Sequence, residues 1–223
     1  NGRNMPEQFS SRELKLVAQT AVTGSQYLPA VGLARALKLE GLDEIVHVAS
    51  GEGATSDGEF FEALNWASRE QLPVIFTVQN NGFAISTRQS VQTGSTVREI
   101  ARGFGLRAFH LDGTWFEGMY QELPPVIDEI RRGAGPILIE ADVIRLDPHS
   151  SSDDHRKYRS VEELEALHER DPIWQTEQHL LRHGVLTRDE MELLRDRIRA
   201  EVNEAALAAD AAPFPAGEDI LAH

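Results

Sequence analysis

At 223 residues the chain is long enough to bury one substantial core. It carries 22 Lys and Arg against 36 Asp and Glu, a net charge of −14; nucleic acid and anionic lipid surfaces demand clustered cations, so neither is expected as a partner. Cysteine is absent, which excludes disulfides, thiolate nucleophiles, zinc–thiolate sites and iron–sulfur clusters, and the apolar runs at 74–78 and 137–139 fall far short of the roughly 20 residues of a membrane span.

The chain opens Asn1-Gly2-Arg3 with no signal-peptide pattern. Cytoplasm is the expected compartment, or the mitochondrial matrix for a eukaryotic source. A helix is expected over 28–39, stopped by Gly41. The apolar run 45–49 reads as a buried strand that ends in Ser50-Gly51-Glu52-Gly53. Ser56 and Glu59 have the spacing of a capping box, and Phe60, Phe61, Leu64 and Ala67 follow at helical period. Pro73 opens a second strand over 74–78, which stops at Asn80-Asn81-Gly82. Thr96 and Glu99 form a second capping box. A strand over 106–111, a helix over 116–132 closed by Gly133, and a strand over 136–142 complete the alternation. Met119, Leu123, Val126 and Ile130 give that helix an apolar stripe, which core packing explains most simply. Short strands alternating with helices imply an α/β fold with a parallel sheet and helices on both faces.

Beyond Asp142 the pattern changes. Residues 144–159 are polar and read as a long loop. Ser160 and Glu163 box the start of a helix, Asp171-Pro172 opens another that ends near Gly184, and Thr187 and Glu190 open a third reaching about Ala209. The end, 211–215, reads as an extended arm. No linker separates the two parts, so one domain is expected over 1–223, with a loop at 144–159 and a helical region over 160–223.

Ligands of open parallel sheets bind beyond the C-terminal ends of the strands. Gly51-Glu52-Gly53 stands at such an end, and its helix-side N–H groups suit a diphosphate. A carboxylate between the glycines would repel phosphate, unless it holds a divalent cation that in turn holds the phosphate; Mg2+ takes oxygen ligands and bridges in this way. The plain alternative is a glycine turn with a surface Glu. Asn80-Asn81-Gly82 ends the second strand. Asn-Gly is a hairpin signal, but the preceding strand is apolar at nearly every position and no matching partner strand follows, and an Asn amide oxygen is a hard ligand suited to Mg2+.

Together the two segments are far more specific. Gly51-Glu52-Gly53, a spacer of 26 residues, then Asn80-Asn81 resembles the thiamin diphosphate signature Gly-Asp-Gly…Asn-Asn. The likeness runs on through Ala54-Thr55-Ser56-Asp57-Gly58-Glu59-Phe60, Glu62-Ala63-Leu64-Asn65, Leu72-Pro73-Val74-Ile75-Phe76 and Phe83-Ala84-Ile85-Ser86, and back through Gly2-Arg3-Asn4-Met5-Pro6. The chain resembles the alpha chain of the thiamin diphosphate-dependent 2-oxo acid dehydrogenases, most of all the branched-chain 2-oxoisovalerate type. The family's alpha chain has a further N-terminal part that this sequence lacks.

The resemblance implies the thiamin diphosphate-binding fold, with Mg2+ held by Glu52, Asn81 and the carbonyl of Phe83, and the diphosphate held near Gly51, Gly53 and Ala54. Glu52 stands where the broad signature has Asp, as in the branched-chain subgroup. Gln79 stands where branched-chain relatives carry an Arg on the diphosphate. His149-Ser150-Ser151-Ser152-Asp153-Asp154 with Tyr158-Arg159 resembles the family's active-site loop. His149 falls on a histidine near the reacting ring, and Ser150 on a serine phosphorylated in mammalian relatives. By its residues alone this stretch is a solvated Ser/Asp-rich loop. Thr20, Val22, Ser25 and Gln26 align with a K+ site in relatives, and equally with a helix start capped by Ser25.

The implied activity is oxidative decarboxylation of a branched-chain 2-oxo acid, with acyl transfer to the lipoyl group of the acyltransferase component. The implied partners are a beta chain, in a heterotetramer of two alpha and two beta chains, and the lipoyl domain. The alternatives are a pyruvate or acetoin dehydrogenase alpha chain with the same cofactor chemistry, and a non-catalytic α/β assembly module. A dinucleotide-binding fingerprint is excluded, since Ser56 replaces its third glycine.

Overall fold

The computed structural model describes residues 8, 10–19, 21–214 and 216–218. In chain order the elements are α1 (Tyr27–Glu40), β1 (Val46–Gly51), a 3-10 turn (Glu52–Ser56), α2 (Gly58–Glu70), β2 (Val74–Asn80), β3 (Phe83–Ala84), β4 (Thr87–Arg88), α3 (Gln89–Gln92), α4 (Val97–Gly103), β5 (Arg107–Asp112), α5 (Phe116–Arg131), β6 (Ile137–Asp142), α6 (Val161–Leu167), α7 (Pro172–Arg182) and α8 (Arg188–Ala211). The chain divides into two compact units, 20–175 and a smaller one formed by 1–19 with 176–223.

The larger unit is built on a four-stranded sheet of order β1-β2-β6-β5, parallel at every pairing. Side chains alternate between its faces. One face sends Val46, Val48, Val74, Phe76, Val78 and Leu138 against Tyr27 and Val31 of α1, Phe60 and Leu64 of α2, and Val97 and Ala101 of α4. The other sends Ile75, Ile137 and Ile139 against Ile130 of α5, with Leu123, Val126 and Ile127 alongside. Helices thus cover both faces, as the alternating pattern predicts, and three of the four stripe residues read from α5 point into the core. Pro124 and Pro125 lie inside that helix; each removes a backbone donor there, and the apolar stripe outweighs the loss.

Two expected capping boxes of this unit form in full, at Thr96/Glu99 and Ser160/Glu163. The one at Ser56/Glu59 does not. The chain passes through the 3-10 turn before α2 begins, so Asp57 becomes the N-cap and accepts the N–H of Glu59 at 2.9 Å. The Ser56 hydroxyl instead accepts from the Gln92 amide at 2.7 Å. Gly41, with φ +69°, closes α1 as expected. Residues 144–154 have no helix or strand, and only a short 3-10 turn (His155–Lys157) interrupts the loop before α6.

In the smaller unit, Thr187 and Glu190 box the start of α8. Met191 is buried, and Arg195 of α8 pairs with Glu177, donating from Nε at 2.8 Å. Ser11 and Leu16 form an isolated antiparallel bridge. The helix reaches Ala211, two residues past the expected end, so the extended arm is limited to 212–214 among the described residues.

Phe76 is fully buried in β2, whereas Leu39 is 71% exposed at the end of α1. Phe76→Ala should cost about 3–5 kcal/mol of unfolding free energy in a denaturant titration, and Leu39→Ala no more than about 0.5 kcal/mol. Comparable losses would place the core elsewhere.

A candidate cofactor and metal site at the ends of two strands

The parallel register pairs Gly51 of β1 with Gln79 of β2. The two motifs, far apart in sequence, therefore leave the sheet side by side at its C-terminal edge. Glu52, first residue of the 3-10 turn, is 1% exposed. Its Oε2 accepts the backbone N–H of Asn81 at 3.2 Å, while its buried Oε1 has no partner. Burial pushes the carboxyl pKa above the usual range; the backbone N–H groups around it and the Arg145 charge only partly oppose it.

The Asn81 side-chain oxygen accepts the N–H of Phe83 at 3.1 Å, which turns the chain back so that both residues stay beside Glu52. Asn80 does the same for the N–H of Gly82 at 2.9 Å. This is not the turn of a hairpin made by β2, which pairs parallel on both sides; the only antiparallel partners here are the two-residue strands β3 and β4. Gly53 is needed where it stands, because a Cβ there would lie 2.9 Å from the Cβ of Ala84.

Segment α3 ties the two motifs together. At one end the N–H of Gln89 donates to the Gly82 carbonyl at 2.9 Å. At the other, the Gln92 amide donates to the Gly53 carbonyl at 2.9 Å and to Ser56.

Next to Asn81 and Phe83 opens a cavity of about 280 Å³, lined also by Val143, Ile144, Arg145, Arg159 and Arg170. Arg145 and Arg159 both lie over the Phe83 ring, at 5.8 and 4.4 Å from its centre. Burial, then the Arg145 charge, pull the Arg159 pKa down. Arg145 donates from Nη2 to the Tyr158 hydroxyl at 2.7 Å, and its Nε and Nη1 are buried without partners. Tyr158 donates in turn to Asp153 at 2.6 Å, and Asp153 accepts the backbone N–H of His149 at 2.9 Å. That chain of bonds anchors the base of the loop, and the Tyr158 hydroxyl and the His149 N–H hold the Asp153 carboxyl below its usual range.

Gly51, Glu52, Gly53, Ala54, Asn81 and Phe83 are thus brought into one site. His149 is exposed on the loop, and its link to that site runs through Asp153, Tyr158 and Arg145. In the segment proposed for K+, Ser25 Oγ donates to the Val22 carbonyl at 2.7 Å and the Gln26 amide oxygen accepts the Gly24 N–H at 3.1 Å; Thr20 lies outside the described residues. Gln92 and Arg145 also belong to the site, and no motif in the sequence marks either. Among the described residues no three His, Asp or Glu cluster as a metal site, so any cation here relies on one carboxylate, neutral oxygens and its own ligand.

The dehydrogenase E1 component family matches residues 1–218. The chain belongs to that family. It is 36% identical over 221 residues, 99% of this chain and 67% of the other, to the 2-oxoisovalerate dehydrogenase subunit alpha of Bacillus subtilis. It is 34% identical to the pyruvate dehydrogenase E1 component subunit alpha of Acholeplasma laidlawii, over 86% of this chain and 56% of that one. With the corresponding Staphylococcus aureus subunit (strain Mu50) the identity is 33%, over 85% and 52%. The chain therefore spans about half to two thirds of the length of these curated relatives. Membership of this E1 family bears out the resemblance read from the motifs. Among the described residues no helix is long and apolar enough to cross a membrane.

A buried carboxyl with a raised pKa is protonated more readily in the folded than in the unfolded chain. Its favourable contribution is complete below the unfolded value of 4.5 and is lost as pH rises through the folded value. Without metal or cofactor, Glu52→Gln should therefore melt above the parent at pH 7, and the gap should close as pH falls towards 4.5. Scanning calorimetry in chelator at both pH values checks this; a variant less stable at pH 7 would contradict it.

Proposed function

We propose that this E1 chain is the alpha part of a thiamin diphosphate-dependent 2-oxo acid dehydrogenase that acts on a branched-chain 2-oxo acid. The observation that carries the cofactor reading is the buried Glu52 carboxylate, with one oxygen on Asn81 and the other unpartnered. A lone buried carboxylate oxygen is costly unless a cation meets it. A carboxylate, the Asn81 amide oxygen and the Phe83 carbonyl form a hard oxygen set suited to Mg2+ that keeps further positions for water and phosphate. The residues present therefore fit the cofactor: Glu52, Asn81 and Phe83 would hold Mg2+, and the backbone around Gly51, Gly53 and Ala54 at the head of the 3-10 turn would hold the diphosphate. Bound thiamin diphosphate supplies the nucleophilic carbon and the electron sink for loss of CO2.

The chain's own part is binding, orientation and proton handling. Glu52 would offset one of the cation's two charges and fix it against the turn. Gly53 lets the turn lie against Ala84 without a clash. His149, on a loop anchored through Asp153 and Tyr158, would hold or give a proton at an imidazole nitrogen. The Val22–Ser25–Gln26 turn, with Thr20, would take K+.

The branched-chain assignment is supported by the 36% identity to the 2-oxoisovalerate subunit and by Glu52 in the motif; pyruvate is the rival, through relatives at 33 and 34%. The same reading gives the protein a beta chain in a two-alpha, two-beta assembly, and the lipoyl domain of an acyltransferase as acyl acceptor. Mixed as the full-length protein with its beta chain, it should release CO2 from 3-methyl-2-oxobutanoate faster than from pyruvate, and alone it should release none. A preference for pyruvate would overturn the substrate assignment; full turnover by the alpha chain alone would overturn the shared site.

A further inference from the structure

Glu140 is an anomaly in β6. It is 3% exposed, among Ile137, Leu138, Ile139 and Ala141, whereas the strand's other acid, Asp142, stands at its C-terminal end and is only partly buried. A buried carboxylate of this kind needs partners on both oxygens, and it has them. Arg98 of α4 donates to Oε2 at 2.6 Å. The Asn80 amide donates to Oε1 at 2.7 Å and also to the Gln89 side-chain oxygen at 2.9 Å. The other end of the Asn80 side chain accepts the Gly82 N–H at 2.9 Å. Asn80 is thus gripped from three sides, by β6, by α3 and by its own turn. The residue it delivers to the next position is Asn81, whose N–H meets Glu52 and whose side-chain oxygen meets the Phe83 N–H.

This arrangement exceeds what a turn needs. An Asn-Gly turn closes with the Asn80–Gly82 bond alone. Burying an Arg–Glu pair beneath it adds little net stability, because desolvation offsets most of the attraction. What the pair adds is a fixed direction. The carboxylate accepts on both oxygens, so the Asn80 amide must present its NH2 side to β6 and its oxygen to the turn, and the backbone at Asn81 has one orientation left.

We propose that Glu140, held by Arg98, is a positioning residue that acts through Asn80 to set where Asn81 stands relative to Glu52. This rests on the Mg2+–thiamin diphosphate reading above. It predicts that hydrogen-bond polarity between positions 80 and 140, and not mere packing, governs the metal requirement.

The test exchanges acid and amide in the full-length protein assembled with its beta chain. Asn80→Asp sets two carboxylates against each other, and Glu140→Gln sets a donor against a donor at Asn80 or Arg98. The double variant restores the pairing between positions 80 and 140, with the Gln amide donating to the new acid and its oxygen still accepting from Arg98, and the Gln89 amide turns to present its NH2 to the acid in place of its oxygen. Calorimetric titration of thiamin diphosphate at a series of Mg2+ concentrations reads the half-saturating Mg2+, and melting without metal reads the fold. Each single variant should raise the half-saturating Mg2+ by about tenfold, and the double variant should return to within about threefold of the parent. Half-saturation unchanged in both single variants, or a double variant at least as impaired as the worse of them, would overturn the proposal. Should a single variant fail to fold, Arg98→Gln, at a partly exposed side chain, should raise the requirement in the same direction, and an unchanged value there would overturn it too. If the parent itself binds the cofactor without need of Mg2+, the cofactor reading fails, and with it this inference; parent binding with Mg2+ and unaffected variants sinks the inference alone.

Discussion

The cost of burying one negative charge organises this end of the molecule. Glu52 could have turned to solvent, as most Glu side chains do. The 3-10 turn that follows β1 carries it inward, where one oxygen finds the Asn81 N–H and the other finds nothing. A folded chain tolerates such a group when its environment is built to receive a positive charge, and pays for it in stability until that charge arrives. The surrounding features follow from this constraint: a glycine where Ala84 comes close, an Asn pair at the next strand end, and a strap from Gln89 to Gln92 holding the two strand ends at a fixed separation.

The parallel sheet makes that convergence inexpensive. Adjacent parallel strands end on the same edge, so α2, as the crossover helix, returns the chain to start β2 in register with β1. Both faces are then sealed by helices, and the polar groups at the edge sit between a dry core and an open cavity. Three arginines against one carboxylate, Glu163, line that cavity in a chain whose net charge is −14. Local field, not total charge, is what a bound anion meets.

The fold was legible because its signals are local. Apolar runs bounded by Gly and Asn marked β1 and β2, and Thr96, Ser160 and Thr187 each stood three residues before a Glu that capped a helix start. Ser56 has the same spacing but does not cap, because the 3-10 turn passes the N-cap to Asp57 and Gln92, 36 residues on, holds the Ser56 hydroxyl; no local pattern carries such a contact. The same applies to the site. Glu52 and Asn81 announced themselves by chemistry out of place, a carboxylate in a glycine turn and an amide at the end of an apolar strand. Gln92 and Arg145 act through contacts made only once the chain has folded. His149 was read from resemblance, and its place on the exposed loop is fixed by Asp153 and Tyr158, which alone would have read as solvated polar residues.

The most direct test of the account is calorimetric titration of thiamin diphosphate into the full-length protein assembled with its beta chain, with and without Mg2+, for the parent and for Glu52→Gln. The substitution keeps the size of the side chain and an oxygen for the Asn81 N–H, removes the charge, and puts an NH2 donor, which cannot ligate a cation, in place of the unpartnered oxygen. The account predicts tight, Mg2+-dependent binding by the parent, and loss of that Mg2+ dependence together with most of the affinity in the variant. Equal, Mg2+-dependent binding by both would contradict it, because the buried charge at the end of β1 would then have no part in holding the cation.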